Sequence, residues 1–107
     1  MVRRAAKVDA NQGAIIDALR SVPGVTVFSL AGVGRGWPDL LVGIKGATFL
    51  VEVKDGSKVP SAQRLTRDQR HFTTHWTGAP VVVLRNVEMA TAWAEILVSG
   101  AISISKG

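Results

Sequence analysis

The stretch WPDLLVGIKGATFLVEVKD, residues 37–55, contains two apolar runs separated by a Lys-Gly pair. Both runs are rich in residues that favour β-strands, and the Lys-Gly pair suits a two-residue hairpin turn. The sequence therefore predicts a β-hairpin with strands over residues 38–44 and 47–54. Asp39, Glu52 and Lys54 lie at its open end. Apolar strands rarely carry charges, so these three are the first candidates for a functional site.

The register of this hairpin decides whether the three charges meet. A turn at Lys45 and Gly46 places Asp39 opposite Glu52, and residues opposite each other in an antiparallel pair share a face. Strand side chains alternate with period two, so Lys54 lies on the face of Glu52. A three-residue loop would shift the register. With the two-residue turn, we expect two carboxylates and one ammonium group to converge.

Two adjacent carboxylates repel unless a cation lies between them. Mg²⁺ takes one or two carboxylates, with a main-chain carbonyl and several waters. Lys54 beside it would orient and help deprotonate a metal-bound water, or neutralise charge on a phosphate. This arrangement is typical of phosphodiester hydrolysis. The alternative is a surface pair of Glu52 and Lys54, with Asp39 as a turn residue after Pro38.

The flanking segments predict an α/β domain with the order α-β-β-β-α-β-α. The helix between the third and fourth strands indicates a crossover and a mixed central sheet flanked by helices. Thr66 is predicted to cap the second helix, with Gln69 completing a capping box. Outside the hairpin, the predicted elements are a helix over 9–20, a strand over 25–30, a glycine-rich loop over 31–36, a loop over 55–61, a helix over 66–76, a strand over 80–84, and a last helix opened by Asn86.

Composition and charge narrow the class of protein. The 107 residues suit a single domain, 1–107, and the net charge of +5 favours a polyanionic partner such as nucleic acid. The absence of cysteine excludes disulfides and thiolate metal sites. The N-terminus lacks the apolar run of a secretory signal, and no run approaches the ~20 residues of a membrane helix. We therefore expect a cytoplasmic protein.

Pro38-Asp39 followed by Glu52-Val53-Lys54 resembles the signature of the PD-(D/E)XK nuclease superfamily. The sequence is more closely similar to stand-alone VRR-NUC domains, the virus-type replication-repair nucleases often found in phages. The similarity extends from about Ala10 to Trp93. It includes GVGRGWPDLLVG, EVKDGSKVPSAQRLT and Gln69. The resemblance implies a restriction-endonuclease-like core.

The resemblance also implies a metal-dependent DNA endonuclease. Asp39 and Glu52 would bind Mg²⁺ or Mn²⁺, with the Val53 carbonyl as a further ligand. Lys54 would activate the water, and Gln69 matches a glutamine that many members place beside the site. Related small phage domains resemble homodimeric resolvases of four-way (Holliday) junctions.

These properties lead us to expect a homodimeric junction resolvase in a bacterial or phage-infected cell. Its partner would be branched DNA, and no membrane or organic cofactor would be involved. The alternatives are a nuclease of flaps, nicks or duplex DNA, and a non-catalytic DNA-binding module that keeps the fold.

The sequence departs from the family on the first helix, where many members carry a glutamate near the metal. Here Asn11 and Gln12 are the candidates, because Asp9 is also a suitable helix N-cap. An amide can hold a metal-bound water but adds no charge.

Basic residues follow the signature and one precedes it. We predict phosphate contacts for them; the alternative is a solvated loop and helix face. Trp37 is a candidate for stacking on a base, with packing over the hairpin as the alternative, and Trp76 is predicted to be a core or dimer contact. The predicted phosphate-binding residues are Arg35, Lys58, Arg64, Arg67 and Arg70.

Overall fold

The computed structural model describes residues 10–100. The predicted element order is confirmed, although most elements are shorter by one to three residues at an end, and a 3₁₀ helix follows the predicted loop. None of the helices in this range is long and apolar enough to cross a membrane. The elements are α1 (Gln12–Arg20), β1 (Val25–Ser29), β2 (Leu40–Ile44), β3 (Ala47–Val53), a 3₁₀ helix (Pro60–Gln63), α2 (Arg67–His75), β4 (Val82–Leu84) and α3 (Val87–Ser99).

The hairpin of β2 and β3 has the predicted register, with Leu40 paired to Val51. Its turn consists of Lys45 and Gly46, whose φ angles of 53° and 81° are both positive. Two positive φ values in succession are typical of a type I′ turn, whose twist matches that of the strands it joins. This turn fixes the faces of all the side chains on the two strands.

The four strands form one mixed sheet in the order β1-β2-β3-β4. β1, β2 and β3 are antiparallel neighbours, whereas β4 runs parallel to β3. The parallel pair requires a crossover, and α2 lies within it. The predicted mixed sheet with flanking helices is therefore confirmed, while its assignment to a restriction-endonuclease-like core stays a prediction.

One face of the sheet is covered by α1 and α3 and forms the main hydrophobic core. Alternate residues of β2 point into it, and Ile15 and Leu19 of α1 are fully buried against them. The small residues Ala90 and Ala94 of α3 are also fully buried, which permits close packing of this helix. The buried core comprises Ile15, Leu19, Val22, Val25, Val27, Leu40, Val42, Ile44, Val51, Val53, Leu84, Ala90, Ala94 and Leu97.

The α2 side of the sheet is packed less completely. No residue of α2 is buried, although the predicted capping box of Thr66 and Gln69 fixes its first turn. The glycine-rich loop contacts this turn closely. A Cβ on Gly36 would lie 2.2 Å from the carbonyl oxygen of Asp68, and its φ of +79° also favours glycine. The loop and α2 therefore form a partial cover over the end of the hairpin.

Two predictions concern the ends of helices, namely the N-cap of α1 and the role of Trp76 after α2. The predicted N-cap Asp9 lies outside the described residues, and the structure has Asn11 at the N-cap of α1, without a side-chain cap bond. A core position for Trp76 is wrong, because 39% of this residue is exposed, whereas the alternative of a dimer contact stays a prediction. It follows the last turn of α2 and lines a cavity with Leu41 and Leu50 of the sheet instead of filling the core.

Candidate active site

The open end of the hairpin lines a cavity of about 480 Å³. Asp39, Glu52 and Lys54 all contribute to its wall, as the register predicts. The loop after β3 and the first turn of α2 supply the other walls. The full lining is Asp39, Glu52, Lys54, Lys58, Ser61, Ala62, Arg64, Leu65, Thr66 and Gln69.

Glu52 and Lys54 are buried charges, with 3% and 7% of each residue exposed. Lys54 Nζ lies 3.6 Å from Glu52 Oε2, so the two charges compensate each other. Burying an ion pair costs desolvation energy that its Coulombic attraction offsets only with good additional hydrogen bonds. A buried pair beside a cavity is therefore a feature that stability alone does not explain.

Gln69 supplies those additional hydrogen bonds. Its Nε2 donates to Glu52 Oε2, and its Oε1 accepts from Lys54 Nζ at 2.9 Å. The same Oε1 accepts from the main-chain N–H of Thr66 at 2.8 Å, which is one half of the capping box. One side chain thus caps the start of α2 and contacts both charges of the pair.

Asp39 is fastened to the neighbouring strand. Its Oδ2 accepts from the main-chain N–H of Val53 at 2.7 Å, and its own carbonyl accepts from Leu30 N–H at 2.7 Å. These bonds fix the Asp39 carboxylate next to β3, although the last paired residues at this end of the hairpin are Leu40 and Val51. Asp39 is therefore oriented by main-chain contacts on both sides.

The donor set suits a hard divalent cation. Asp39 and Glu52 line one cavity, and the Val53 main chain lies next to both. Within residues 10–100 no group of three or more His, Cys, Asp or Glu is arranged to hold a metal. Mg²⁺ is compatible with two carboxylates, because it retains several waters.

Asn11 contacts the main chain next to the site. Its Nδ2 donates to the carbonyls of Lys54 and Arg85, both at 3.1 Å, and so ties together the chain just beyond β3 and β4. Gln12 is buried, and its Oε1 has no hydrogen-bond partner. Neither residue belongs to the lining of the cavity that contains Asp39. Their replacement of a family glutamate therefore stays a prediction.

Lys58 and Arg64 lie on the cavity wall, on the segment between β3 and α2. Asp55 begins that segment with a turn, accepting from Ser57 N–H at 2.9 Å and Ser57 Oγ at 2.6 Å. These two hydrogen bonds hold the pKa of the Asp55 carboxyl below its usual value. The turn directs the chain so that Lys58 follows beside the site.

The other three predicted phosphate contacts lie elsewhere. Arg35 lines a second cavity of about 170 Å³, which shares Asp39 and Gln69 with the first. Arg67 and Arg70 are exposed on α2 and belong to neither lining, and Arg70 Nη1 donates to the Leu65 carbonyl at 3.1 Å. The geometry thus separates Arg35, Lys58 and Arg64 from the two helix arginines.

Two hydrogen bonds that support the basic loop, the segment over residues 54–66 that carries Lys58 and Arg64, were not predicted from the sequence. Arg85 Nη1 donates to Gln63 Oε1 at 2.7 Å, and Gln63 Nε2 donates to the Lys58 carbonyl at 2.6 Å. Arg85 follows Leu84, which pairs with Val53. The parallel pairing of β3 with β4 therefore places Arg85 beside the loop that follows β3. Gln63 carried no signal, since a short 3₁₀ helix has no clear periodicity.

Comparison of the chain with protein-family models, with curated proteins and with solved structures gives no significant match. The resemblance to the nuclease superfamily therefore stays a prediction that depends on the motif residues.

Proposed function

We propose that the protein is a metal-dependent endonuclease of the PD-(D/E)XK type that acts on branched DNA, with the four-way junction as its expected substrate. One observation carries the proposal: Asp39, Glu52 and Lys54 share a cavity wall with Lys58 and Arg64. Two carboxylates, a buried lysine and two exposed cations are what metal-assisted cleavage of a phosphodiester requires.

In this proposal Asp39 and Glu52 hold Mg²⁺ or Mn²⁺, with the Val53 carbonyl as a further ligand. The bound metal would polarise the phosphate and activate a water. Lys54 Nζ donates to Gln69 Oε1 at 2.9 Å and lies 3.6 Å from Glu52 Oε2, and in this position it would help deprotonate the water or neutralise charge that develops on a phosphate oxygen. Gln69 orients both charged groups, and Lys58 and Arg64 hold neighbouring phosphates.

Branched DNA is proposed as the substrate from the arrangement of the helices and from symmetry. Within residues 10–100 no two α-helices follow one another directly, so this part of the chain has no helix-turn-helix, and we favour recognition of DNA shape over sequence. Symmetric cleavage of a junction requires two active centres, which a two-fold homodimer would supply. Both the junction and the dimer are part of the proposal.

The test is a cleavage assay with Mg²⁺ or Mn²⁺ on a four-way junction, a flap and a linear duplex of shared sequence. Wild type is compared with Glu52→Gln and with Glu95→Gln, the same change at an exposed position on α3. We expect paired symmetric cuts in the junction that Glu52→Gln abolishes and Glu95→Gln retains.

Other outcomes of this assay separate the alternatives. Cuts confined to the flap or duplex would keep the chemistry and contradict the junction. DNA binding without metal-dependent cutting of any substrate would contradict the enzyme and indicate a non-catalytic binding module.

A further inference from the structure

An aromatic surface adjoins the proposed active site. The rings of Trp37, Phe72 and Trp76 form a row, with centroids 5.1 Å apart for the first pair and 5.4 Å for the second. Phe72 and Trp76 are nearly parallel, at 18°. The outer two residues are well exposed, 42% for Trp37 and 39% for Trp76. Exposed indoles in a fixed row are unusual where only packing is required.

The position of Trp76 is fixed by its own turn. Its Nε1 donates to the Ala79 carbonyl at 2.9 Å, so the polar atom of the indole is satisfied within the chain. Gly78 lies directly against the ring, because a Cβ there would be 2.6 Å from Cζ2 of Trp76. The exposed ring is therefore held in place before any partner arrives, which lowers the entropic cost of binding.

The two tryptophans form the walls of an apolar cavity of about 250 Å³, well above the ~30 Å³ that one water occupies. Its remaining walls come from the sheet and from the turn after α2. The complete lining is Trp37, Leu41, Thr48, Leu50, Trp76 and Ala79.

Trp37 connects this cavity to the proposed catalytic centre. It also lines the cavity that contains Arg35 and Asp39. A polar cavity with a cation and an apolar cavity with aromatic walls thus meet at one side chain. That combination matches the two halves of a nucleotide, a charged phosphate and a flat base.

We propose that the apolar cavity between Trp37 and Trp76 binds an unpaired nucleobase, while Arg35 contacts the phosphate of the same strand. The inference rests on the proposed action on DNA and deepens it, because it makes the preferred substrate one with an unpaired base next to the cleaved bond. The cation at Arg35 and the net charge of +5 favour this occupant over a second copy of the same basic chain.

The test measures binding in metal-free buffer with the Asp39→Asn variant, so that the DNA stays intact. The probe is a duplex with a short single-stranded arm, made with normal bases, with an abasic site next to the branch, or with 2-aminopurine there. Trp76→Leu removes the ring and keeps an apolar wall. Phe28→Leu is the matched control, because Phe28 is 65% exposed and lies outside the cavity lining.

We expect the normal arm to bind about tenfold more tightly than the abasic arm, as for one lost base–aromatic stack. Trp76→Leu should abolish this difference and the quenching of 2-aminopurine, and Phe28→Leu should retain both. Trp37→Leu gives a second variant if Trp76→Leu fails to fold, as judged by thermal unfolding.

Equal affinity for the normal and abasic arms would overturn the inference. So would a dimer, seen by analytical ultracentrifugation, that Trp76→Leu dissociates while the base dependence persists. Cleavage of branched DNA by the wild type tests the proposed function separately. Active enzyme with no base dependence contradicts the cavity alone, and base-dependent binding without cleavage contradicts the nuclease alone.

Discussion

The two faces of the sheet differ in what covers them and in what their residues are for. The face under α1 and α3 is apolar, with Ile15 and Leu19 fully buried and Phe49 and Trp93 packed against the core. The face under α2 carries Glu52 and Lys54 at one end and an aromatic row beside it, and no residue of α2 is buried. Stability is concentrated on the first face, which leaves the second free to hold charges that a core would not accept.

The second face therefore contributes less to stability and more to the proposed activity. Substitutions of core residues on the first face should therefore lower stability, and substitutions near the charges of the second face should lower activity.

The largest expected effect is a loss of stability on the sheet face under α1 and α3. Leu19→Ala should lower the free energy of unfolding by about 2–5 kcal/mol, through lost burial and the cavity it leaves. Phe28→Ala, on the other face and 65% exposed, should change it by no more than about 0.5 kcal/mol. Urea unfolding measures both. Similar losses for the two variants would contradict the division.

Asp39→Asn should lower the cleavage rate at least about a hundredfold, as expected for loss of a charge that acts in the transition state. The asparagine oxygen can still accept from the Val53 N–H, so the midpoint of unfolding should change little. Asp17→Asn, an exposed position on α1, should leave both quantities unchanged. Loss of junction binding in step with cleavage would contradict the metal role.

Two helix caps allow a sharper comparison. Thr66→Ala and Asn86→Ala each remove a side chain that accepts from the first turn of its helix, α2 or α3. Each should cost about 1 kcal/mol of stability. Only Thr66→Ala should also lower cleavage, because its capping partner Gln69 holds Glu52 and Lys54. Equal cleavage by both variants would show that Gln69 is positioned without the cap.

The smallest expected effect concerns the basic loop. Lys58→Ala should lower the slope of log affinity against log salt by about one unit, as for one lost phosphate contact. Lys45→Asn removes a charge at the far end of the hairpin, in a turn where asparagine tolerates positive φ, and should leave the slope unchanged. Arg67→Ala tests whether contacts extend beyond the cavity. An unchanged slope for Lys58→Ala would remove it from the interface.

The hairpin and its charges were predictable because local rules decide them. The type I′ turn at Lys45 and Gly46 sets the register, and the register sets which side chains meet. The capping box was predictable for the same reason, since Thr66 and Gln69 lie within one turn.

The parts that escaped prediction depend on contacts between distant segments. Asn11 bonds to Lys54 and Arg85 across separations of 43 and 74 residues, which no local pattern encodes. The exposure of Trp76 escaped for a related reason. Its helical spacing indicates a buried position, but its ring lines a cavity over Leu41, Thr48 and Leu50 and stays 39% exposed.

The double role of Gln69 constrains how this chain can change length. Because its side chain bonds to Thr66 on one side and to Glu52 and Lys54 on the other, the interval from Thr66 to Gln69 cannot gain or lose a residue without separating the helix from the charges. The segment between Asp55 and Leu65 is held differently, by the hydrogen bonds of Gln63 to the Lys58 carbonyl and to Arg85. An insertion between Lys58 and Gln63 should break these bonds and alter the reach of Lys58 and Arg64, while the interval from Thr66 to Gln69 and the carboxylates stay in place.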